Sequence, residues 1–281
     1  MNVLLTGGTG FIGSHVLRLL LERGFDVTLC AIEKGMARLG NLRPSRVIHG
    51  SLFDLDASQL GPIDAVIHLA ATGVSPRQAA WHELEEVNIK GTLKMCMLAK
   101  TLGSKLAIAG SYAEYGSSGL RYEKIPPNAP LEPNFPYAVS KASACQLALG
   151  YAKSEGLKMA YLRIFNAFGE GQHSSNLWPS LMKAAASGED FDMTLGEQIR
   201  DFIAVEDVAS AFVKAITSSD LIPGSPLVAN IASGRPQSIR EFCEFWWATA
   251  KADGSLKIGS IPYRTNEIMR YIPSIDVMYL S

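Results

Sequence analysis

The sequence predicts an α/β fold, a doubly wound parallel sheet followed by a smaller, discontinuous lobe towards the carboxyl end. Three observations predict it. Short apolar runs alternate with helix-like segments up to residue 165, a glycine-rich turn joins the first run to the first helix, and past residue 165 the alternation fades.

Asn2-Val3-Leu4-Leu5-Thr6 is an apolar run suited to a fully buried parallel strand, and Ser14 to Arg23 carries the i, i+3, i+4 spacing of an amphipathic helix. Between them stands Gly7-Gly8-Thr9-Gly10-Phe11-Ile12-Gly13. Without Cβ atoms, Gly7, Gly10 and Gly13 permit a tight turn and bring backbone N–H groups, with the positive end of the helix, close to a pyrophosphate. The turn reads as a seat for a dinucleotide. Strand-like runs recur at Asp26 to Ile32, Arg46 to His49, Ala65 to Leu69, Lys105 to Ala109 and Lys158 to Ile164, with helix-like segments between them. Glu123 to Pro136 holds five prolines and reads as a surface loop bordering a cleft; Gly169 to Asn176 and Gly188 to Arg200 read as irregular. Residues 1–165, with a returning segment about 203–232, are assigned to a dinucleotide-binding domain, and 166–202 with 233–281 to a substrate lobe.

The 281 residues, 47% hydrophobic and 19% charged, suffice for one large core and a smaller lobe. With 26 basic against 27 acidic residues the net charge is -1, which speaks against a broad nucleic-acid or anionic-membrane surface, so any phosphate site is local. No apolar stretch reaches the length of a membrane span, and the amino terminus enters a strand without a leader, so a cytoplasmic protein is expected. Cys30, Cys96, Cys145 and Cys243 are widely spaced in apolar or helical surroundings and read as buried thiols; no metal is inferred. Trp178, Trp246 and Trp247, on helix-like segments, read as core.

Tyr137 opens a helical segment running to about Ser154, and Lys141 lies one turn further along the same face. An ammonium beside a phenol favours phenolate and would lower the tyrosine pKa towards that of a working acid and base. A proton donor together with a dinucleotide cradle implies redox chemistry.

With the glycine turn and Tyr137/Lys141 come His68-Leu69-Ala70-Ala71, Asn88 with Gly91-Thr92, Ser111 with Tyr115-Gly116, Arg163 to Gly169, Arg200-Asp201-Phe202-Ile203 and Val205-Glu206-Asp207-Val208. In this order they resemble the extended short-chain dehydrogenase/reductase family, the NAD-dependent epimerase/dehydratase group acting on nucleotide sugars, over almost the whole chain. The resemblance implies a Rossmann-type fold and catalytic Ser111, Tyr137 and Lys141, Ser111 holding the oxygen that Tyr137 protonates. It implies cofactor contacts from Gly7, Gly10, Phe11, Ile12, Gly13, Lys34, Ser51, Leu52, Leu69, Ala70, Ala71, Asn88, Tyr137 and Lys141, and substrate contacts from Thr72, Ser111, Tyr112, Asn166, Arg200 and Arg264. His68 is expected to be structural, Asn88 to bond backbone and organise the site, and Asp207 to cap a helix. The helices Leu84 to Lys100 and Tyr137 to Tyr151 correspond to the family's four-helix homodimer interface. Relatives commonly continue past the point of Tyr279-Leu280-Ser281 through a final helical segment, so either a reduced substrate lobe or a shortened chain is expected.

Members that eliminate water carry Asp and Glu after the catalytic Ser/Thr; here Tyr112 and Ala113 stand there, which argues against a dehydratase. Gly110-Ser111-Tyr112-Ala113-Glu114-Tyr115-Gly116 is instead similar to reductases of nucleotide-linked 4-keto-6-deoxysugars, with Glu114 bonding backbone amides. Where NAD enzymes place an acidic residue this chain has Ala31, and although Glu33 follows, Lys34 and Arg38 suit a 2′-phosphate, so NADP(H) is expected over NAD(H). Ser51 stands where relatives set an Asp against adenine. The expected activity is reduction of the C4 ketone of such a sugar by hydride, with Tyr137 as proton donor. A 4-epimerase with retained NAD is the alternative, and a non-catalytic NADP-binding regulator a minor one. Which nucleotide diphosphate sugar binds depends on loops such as Thr72 to Pro76 and His173 to Trp178, whose shape no pattern fixes.

Overall fold

In a computed structural model, residues 1–74 and 78–275 are described, except the side chain of Lys34; Ser75, Pro76 and the Tyr279–Ser281 end lie outside them. The strands are β1 Asn2–Thr6, β2 Asp26–Ala31, β3 Arg46–His49, β4 Ala65–His68, β5 Lys105–Ser111, β6 Met159–Ile164, β7 Asn166–Phe168, β8 Phe191–Met193, β9 Ile199–Ala204, β10 Leu227–Ile231, β11 Pro236–Ser238, β12 Leu256–Ile258 and β13 Arg270–Tyr271. The helices are α1 Phe11–Glu22, α2 Ala57–Leu60, α3 Trp81–Leu84, α4 Gly91–Leu102, α5 Pro136–Glu155, α6 Leu177–Ser187, α7 Val205–Thr217 and α8 Ile239–Thr249.

Seven strands form one parallel sheet in the order β10-β6-β5-β4-β1-β2-β3. Strand direction of travel reverses between β1 and β4, the point at which an open α/β sheet leaves a crevice beyond its carboxyl edge. Because successive side chains of a strand face opposite ways, Val3 and Leu5 join Val16, Leu17, Leu20 and Phe212 of α1 and α7 on one face. Leu4 joins Val66, Leu106, Cys96 and Cys145 with α4 and α5 on the other. All four cysteines are buried free thiols; burial pushes Cys30 up to about 11 and the others to about 12.

After β6 the chain builds small sheets. β11, β9 and β13 pair in that order with β7 also on β9, while β8 pairs β12. β10 returns to the large sheet beside β6, and α7 packs on α1. Trp178 and Trp246 meet edge to face at 5.6 Å over Phe168 and Phe242, and Trp247 is buried against Phe191, so the tryptophans are packing residues.

Three local readings are corrected. The proline-rich segment is no mere surface loop: Ile125 is fully buried, its N–H donates to Ile272 O at 2.9 Å and its carbonyl accepts from Ser274 N at 2.8 Å. The stretch Gly188 to Arg200 contains β8 and the start of β9, three-residue and edge pairings that leave no periodic mark. Asp207 sits inside the first turn of α7, where its charge suits the helix dipole, and Ala204 occupies the cap without a side-chain bond. Among the described residues no helix is long and apolar enough to cross a membrane.

Phe212 has no exposed surface and wedges α7 onto the sheet. Phe212→Ala is expected to lower unfolding free energy by about 3 to 5 kcal/mol, measured by urea denaturation.

Candidate active site

The crevice is built first from backbone. Gly7, at φ +75°, follows β1, and a Cβ there would stand 2.5 Å from Ala70 N and 2.6 Å from Leu69 C, so only glycine lets the loops after β1 and β4 touch. A Cβ on Gly13 would stand 2.0 Å from Gly7 O, and Gly10 N donates to Gly7 O at 2.9 Å. Gly10 caps α1 without a side-chain bond, so Phe11 and Ile12 begin the helix with N–H groups that no intrahelical acceptor takes. These features fit a dinucleotide pyrophosphate: Gly7, Gly10, Phe11, Ile12 and Gly13 would hold it, beside Leu69, Ala70 and the exposed Ala71.

At the adenosine side, Ser51 caps a short turn: its Oγ accepts from Phe53 N at 3.3 Å and its N–H donates to Asp54 Oδ2 at 2.8 Å. Leu52 packs toward Gly91, where a Cβ would meet it at 3.3 Å. Glu33 opens the turn beyond β2, with its carboxylate 3.2 Å from His49 Nδ1. Arg38 lines a cleft along α1 with Ser14, Arg18 and Glu22, and Lys34 has its side chain outside the described part.

β5 ends in Ser111, and the chain turns at once, Ser111 Oγ accepting from Ala113 N at 3.2 Å and Ser111 N donating to Glu114 Oε1 at 2.8 Å. That capping box sets the serine hydroxyl beside Tyr137 of α5, near enough to favour the ionised form of its phenol. Pro136 at the first position presets the start of α5, so Tyr137 sits in its first turn and Lys141 one turn on. Ser111 and Tyr137 are therefore brought together. Lys141 is buried and donates from Nζ to Ala109 O at 2.8 Å. The expectation that its ammonium lowers the Tyr137 pKa is corrected: burial dominates and holds the phenol well above its ordinary value, opposed by the Ser111 hydroxyl and reinforced by the Glu114 carboxylate. Lys141 itself is pulled below its ordinary value by burial, and Glu114 opposes that.

Asn88 bonds backbone and organises the site, as expected. It lies in a π-helical turn, Glu85–Lys90, that joins α3 to α4. Its Oδ1 accepts from Thr72 N at 2.9 Å, while Nδ2 donates to Thr72 O at 3.1 Å and Ser140 Oγ at 2.9 Å. With both donors spent on protein, Asn88 ties the loop after β4 to α5. Thr72 is held by its backbone, and a Cβ on Gly73 would lie 3.6 Å from the Tyr137 ring. His68 is structural, as expected: Nδ1 meets Thr6 Oγ1 at 2.7 Å and Nε2 meets Thr92 Oγ1 at 3.4 Å.

Of the remaining substrate candidates, Tyr112 sets its ring between Phe165, tilted at 5.5 Å, and Tyr271, edge to face at 5.8 Å, within the field of Arg200. Arg200 donates to Ile199 O and Ile268 O at 2.9 and 2.6 Å and stands 3.9 Å from Glu267. Its neighbour Asp201 takes Ser233 N and Oγ at 2.7 Å and Gly234 N at 2.9 Å. Asn166 donates to Asp201 O at 3.3 Å, and Arg264 is exposed in the segment before β13. Sequence reasoning missed Phe165 and Tyr271 beside Tyr112. It also missed the buried partners of Arg163, although an arginine inside a fully buried apolar strand was itself the signal.

The sequence profile of the NAD dependent epimerase/dehydratase family matches residues 3–232, and the chain belongs to that family. Its fold is similar to a UDP-N-acetylglucosamine 4-epimerase of Methanobrevibacter ruminantium, solved with UDP-N-acetylmuramic acid, at TM-score 0.85 and 27% identity over 99% of this chain and 91% of that one. MoeE5, solved with UDP-glucose and NAD, superposes at TM-score 0.79 with 27% identity, covering 100% of this chain and 92% of that one. The dTDP-6-deoxy-L-talose 4-dehydrogenase (NAD(+)) of Aggregatibacter actinomycetemcomitans is 23% identical over 275 residues, 96% of this chain and 98% of its own. The expectation of NADP(H) is overturned: MoeE5 was solved with NAD, and the Aggregatibacter dehydrogenase is described as using NAD(+). The physical error of that expectation lay in weighing Lys34 and Arg38 above Glu33, whose carboxylate past β2 suits a ribose hydroxyl and repels a 2′-phosphate.

Burial and the Lys141 ammonium depress His68 from 6.5 to about 3, so the unfolded chain takes up a proton there at a higher pH than the folded one. The stability that neutral His68 contributes is whole above pH 6.5 and drains as pH falls toward 3. His68→Gln is expected to flatten the acid-side loss in urea titrations by up to about 1.4 kcal/mol per pH unit.

Proposed function

We propose that the protein reduces the C4 ketone of a nucleotide-linked 4-keto-6-deoxyhexose with NADH. When bound over the glycine turn, the nicotinamide supplies the hydride. Ser111 holds the carbonyl oxygen, Tyr137 delivers its phenolic proton to that oxygen as C4 gains hydride, and the products are the C4 alcohol and NAD⁺. Lys141, an ammonium one turn further along the same face of α5, is placed to offset the phenolate left behind. The observation that carries the reading is the end of β5 set against the first turn of α5, which puts Ser111 beside Tyr137, a phenol that burial keeps neutral and so able to give a proton to a ketone. Tyr112 and Ala113 offer no acid and base for eliminating water. The end-to-end match with a 4-dehydrogenase relative supports the same class.

A 4-epimerase that retains NAD is the second reading, favoured by the likeness to the UDP-N-acetylglucosamine 4-epimerase. Residues 1–165 with 203–232 are proposed as the cofactor domain and 166–202 with 233–281 as the substrate lobe, Tyr112, Asn166, Arg200 and Arg264 serving the sugar diphosphate. A homodimer through α4 and α5 is proposed on their packing side by side with Met97 exposed on α4.

Mixing the purified protein with NADH and a panel of nucleotide 4-keto-6-deoxysugars is expected to consume NADH one for one with a 4-hydroxy product. Interconversion of UDP-hexoses with bound NAD and no net absorbance change would replace the reductase by the epimerase. In the active reaction, Tyr137→Phe and Ser111→Ala should each lower kcat by about 10²- to 10⁴-fold while cofactor binding persists. Light scattering at micromolar concentration should give twice the chain mass; a monomer mass defeats the dimer.

A further inference from the structure

Behind the Ser111 and Tyr137 pair lies a carboxylate with no exposed surface. Glu114 Oε1 accepts from Ser111 N at 2.8 Å and from Tyr161 OH at 2.9 Å, and Oε2 faces Arg163 Nε at 2.7 Å. The Tyr161 hydroxyl also lies 3.3 Å from the carbonyl oxygen of Lys141, so one side chain spans the end of β5, strand β6 and the catalytic turn of α5. We propose that Glu114 is a positioning residue for the reaction, fixing the Ser111 backbone and, through Tyr161, the turn of α5 that carries Lys141. This rests on the Ser111, Tyr137 and Lys141 chemistry proposed above.

A core ion pair with no such role would need only Arg163. Glu114 instead divides its two oxygens, giving one to the ion pair and the other to the two elements whose meeting makes the site. The groups facing it are Arg163 and Tyr161 from β6, Lys141, Tyr137 and Cys145 from α5, and Tyr115 and Ser111 from its own turn. Arg163 is in turn held by Tyr115 OH at 3.1 Å, Pro127 O at 2.7 Å and Cys145 Sγ at 3.1 Å, which fix its guanidinium on the Oε2 side of Glu114. The carboxylate is left as the anion that supports the buried Lys141 ammonium, and among the influences on Lys141 it is the first that opposes burial.

The test is a double variant, Glu114→Gln with Arg163→Met, which keeps an acceptor for Ser111 N and Tyr161 OH, removes both charges and leaves no unpaired guanidinium. With lysine side chains isotopically labelled and Lys141 assigned by Lys141→Met, its ammonium is expected to titrate about one pH unit lower than in the wild type. A folded double variant in which Lys141 titrates as in the wild type overturns the proposal. Should the double variant not fold, Tyr161→Phe decides, since it leaves the ion pair whole: amides around Lys141 should exchange hydrogen several-fold faster, and wild-type exchange there overturns the proposal. Neither readout needs a substrate. A wild-type protein inactive on every nucleotide sugar would therefore defeat the proposed reaction while the lysine titration still judged Glu114.

Discussion

The buried ion pair between Glu114 and Arg163 is the constraint on which the site rests. Two charges removed from water are tolerated only when every remaining acceptor and donor is met, and breaking such a pair on one side destabilises a fold by several kcal/mol. The chain meets that demand from all around: the end of β5 gives Ser111 N, β6 gives Tyr161, the proline-rich segment gives Pro127 O, and α5 gives Cys145. Tyr115 extends the network to Asn230 of β10 at 2.6 Å, and Asn230 donates to Ile125 O and Ser274 O. An electrostatic requirement thus becomes a geometric one, because satisfying it fixes the turn after β5, the proline-rich segment and the last described residues against one another.

The other half of the crevice is positioned by groups without charge. Gly7 lets two loops meet at the reversal of strand order, and Asn88 sews the loop after β4 to α5. The π-helical turn is what brings Asn88 inward, to 1% exposure, while Glu85 and Glu86 on the same turn stay exposed. His68 bridges β1 and α4 as a neutral ring, which is the state its burial enforces. The ionised groups and the neutral ones divide the work: the first fix Ser111 and Lys141, the second fix the loops that flank Tyr137.

The large sheet was legible because strands buried on both faces must be nearly continuous apolar runs, and Val3 to Leu5 or Ala65 to Ile67 leave little else to be. β7, β8 and β12 were not, since three residues held by pairing carry no period. Ser111 was legible only through the resemblance, and Tyr137 with Lys141 through their place one turn apart on a helix; the structure sets Ser111 beside Tyr137. The acceptor of Lys141 was not legible, because its hydrogen bond goes to a backbone carbonyl 32 residues away and no side-chain pattern encodes that. The backbone bonds expected of Asn88 are there, though the sequence could not name their partners, Thr72 and the hydroxyl of Ser140. The NADP expectation failed for a different reason: charges were counted along the chain, whereas the ribose edge is governed by the residue that stands just past β2.

The protonation state of Tyr137 bears on the direction of the chemistry. An epimerase begins by taking a proton from a hydroxyl and so needs its tyrosine ionised at the outset, while a reductase begins by giving one. Here burial and the Glu114 carboxylate both favour the neutral phenol, and Lys141, the group that would favour phenolate, spends a donor on Ala109 O. The Ser111 hydroxyl works the other way. The same serine, tyrosine and lysine serve either reaction, so the balance of these influences on Tyr137, rather than the identity of the residues, bears on which of the two is run.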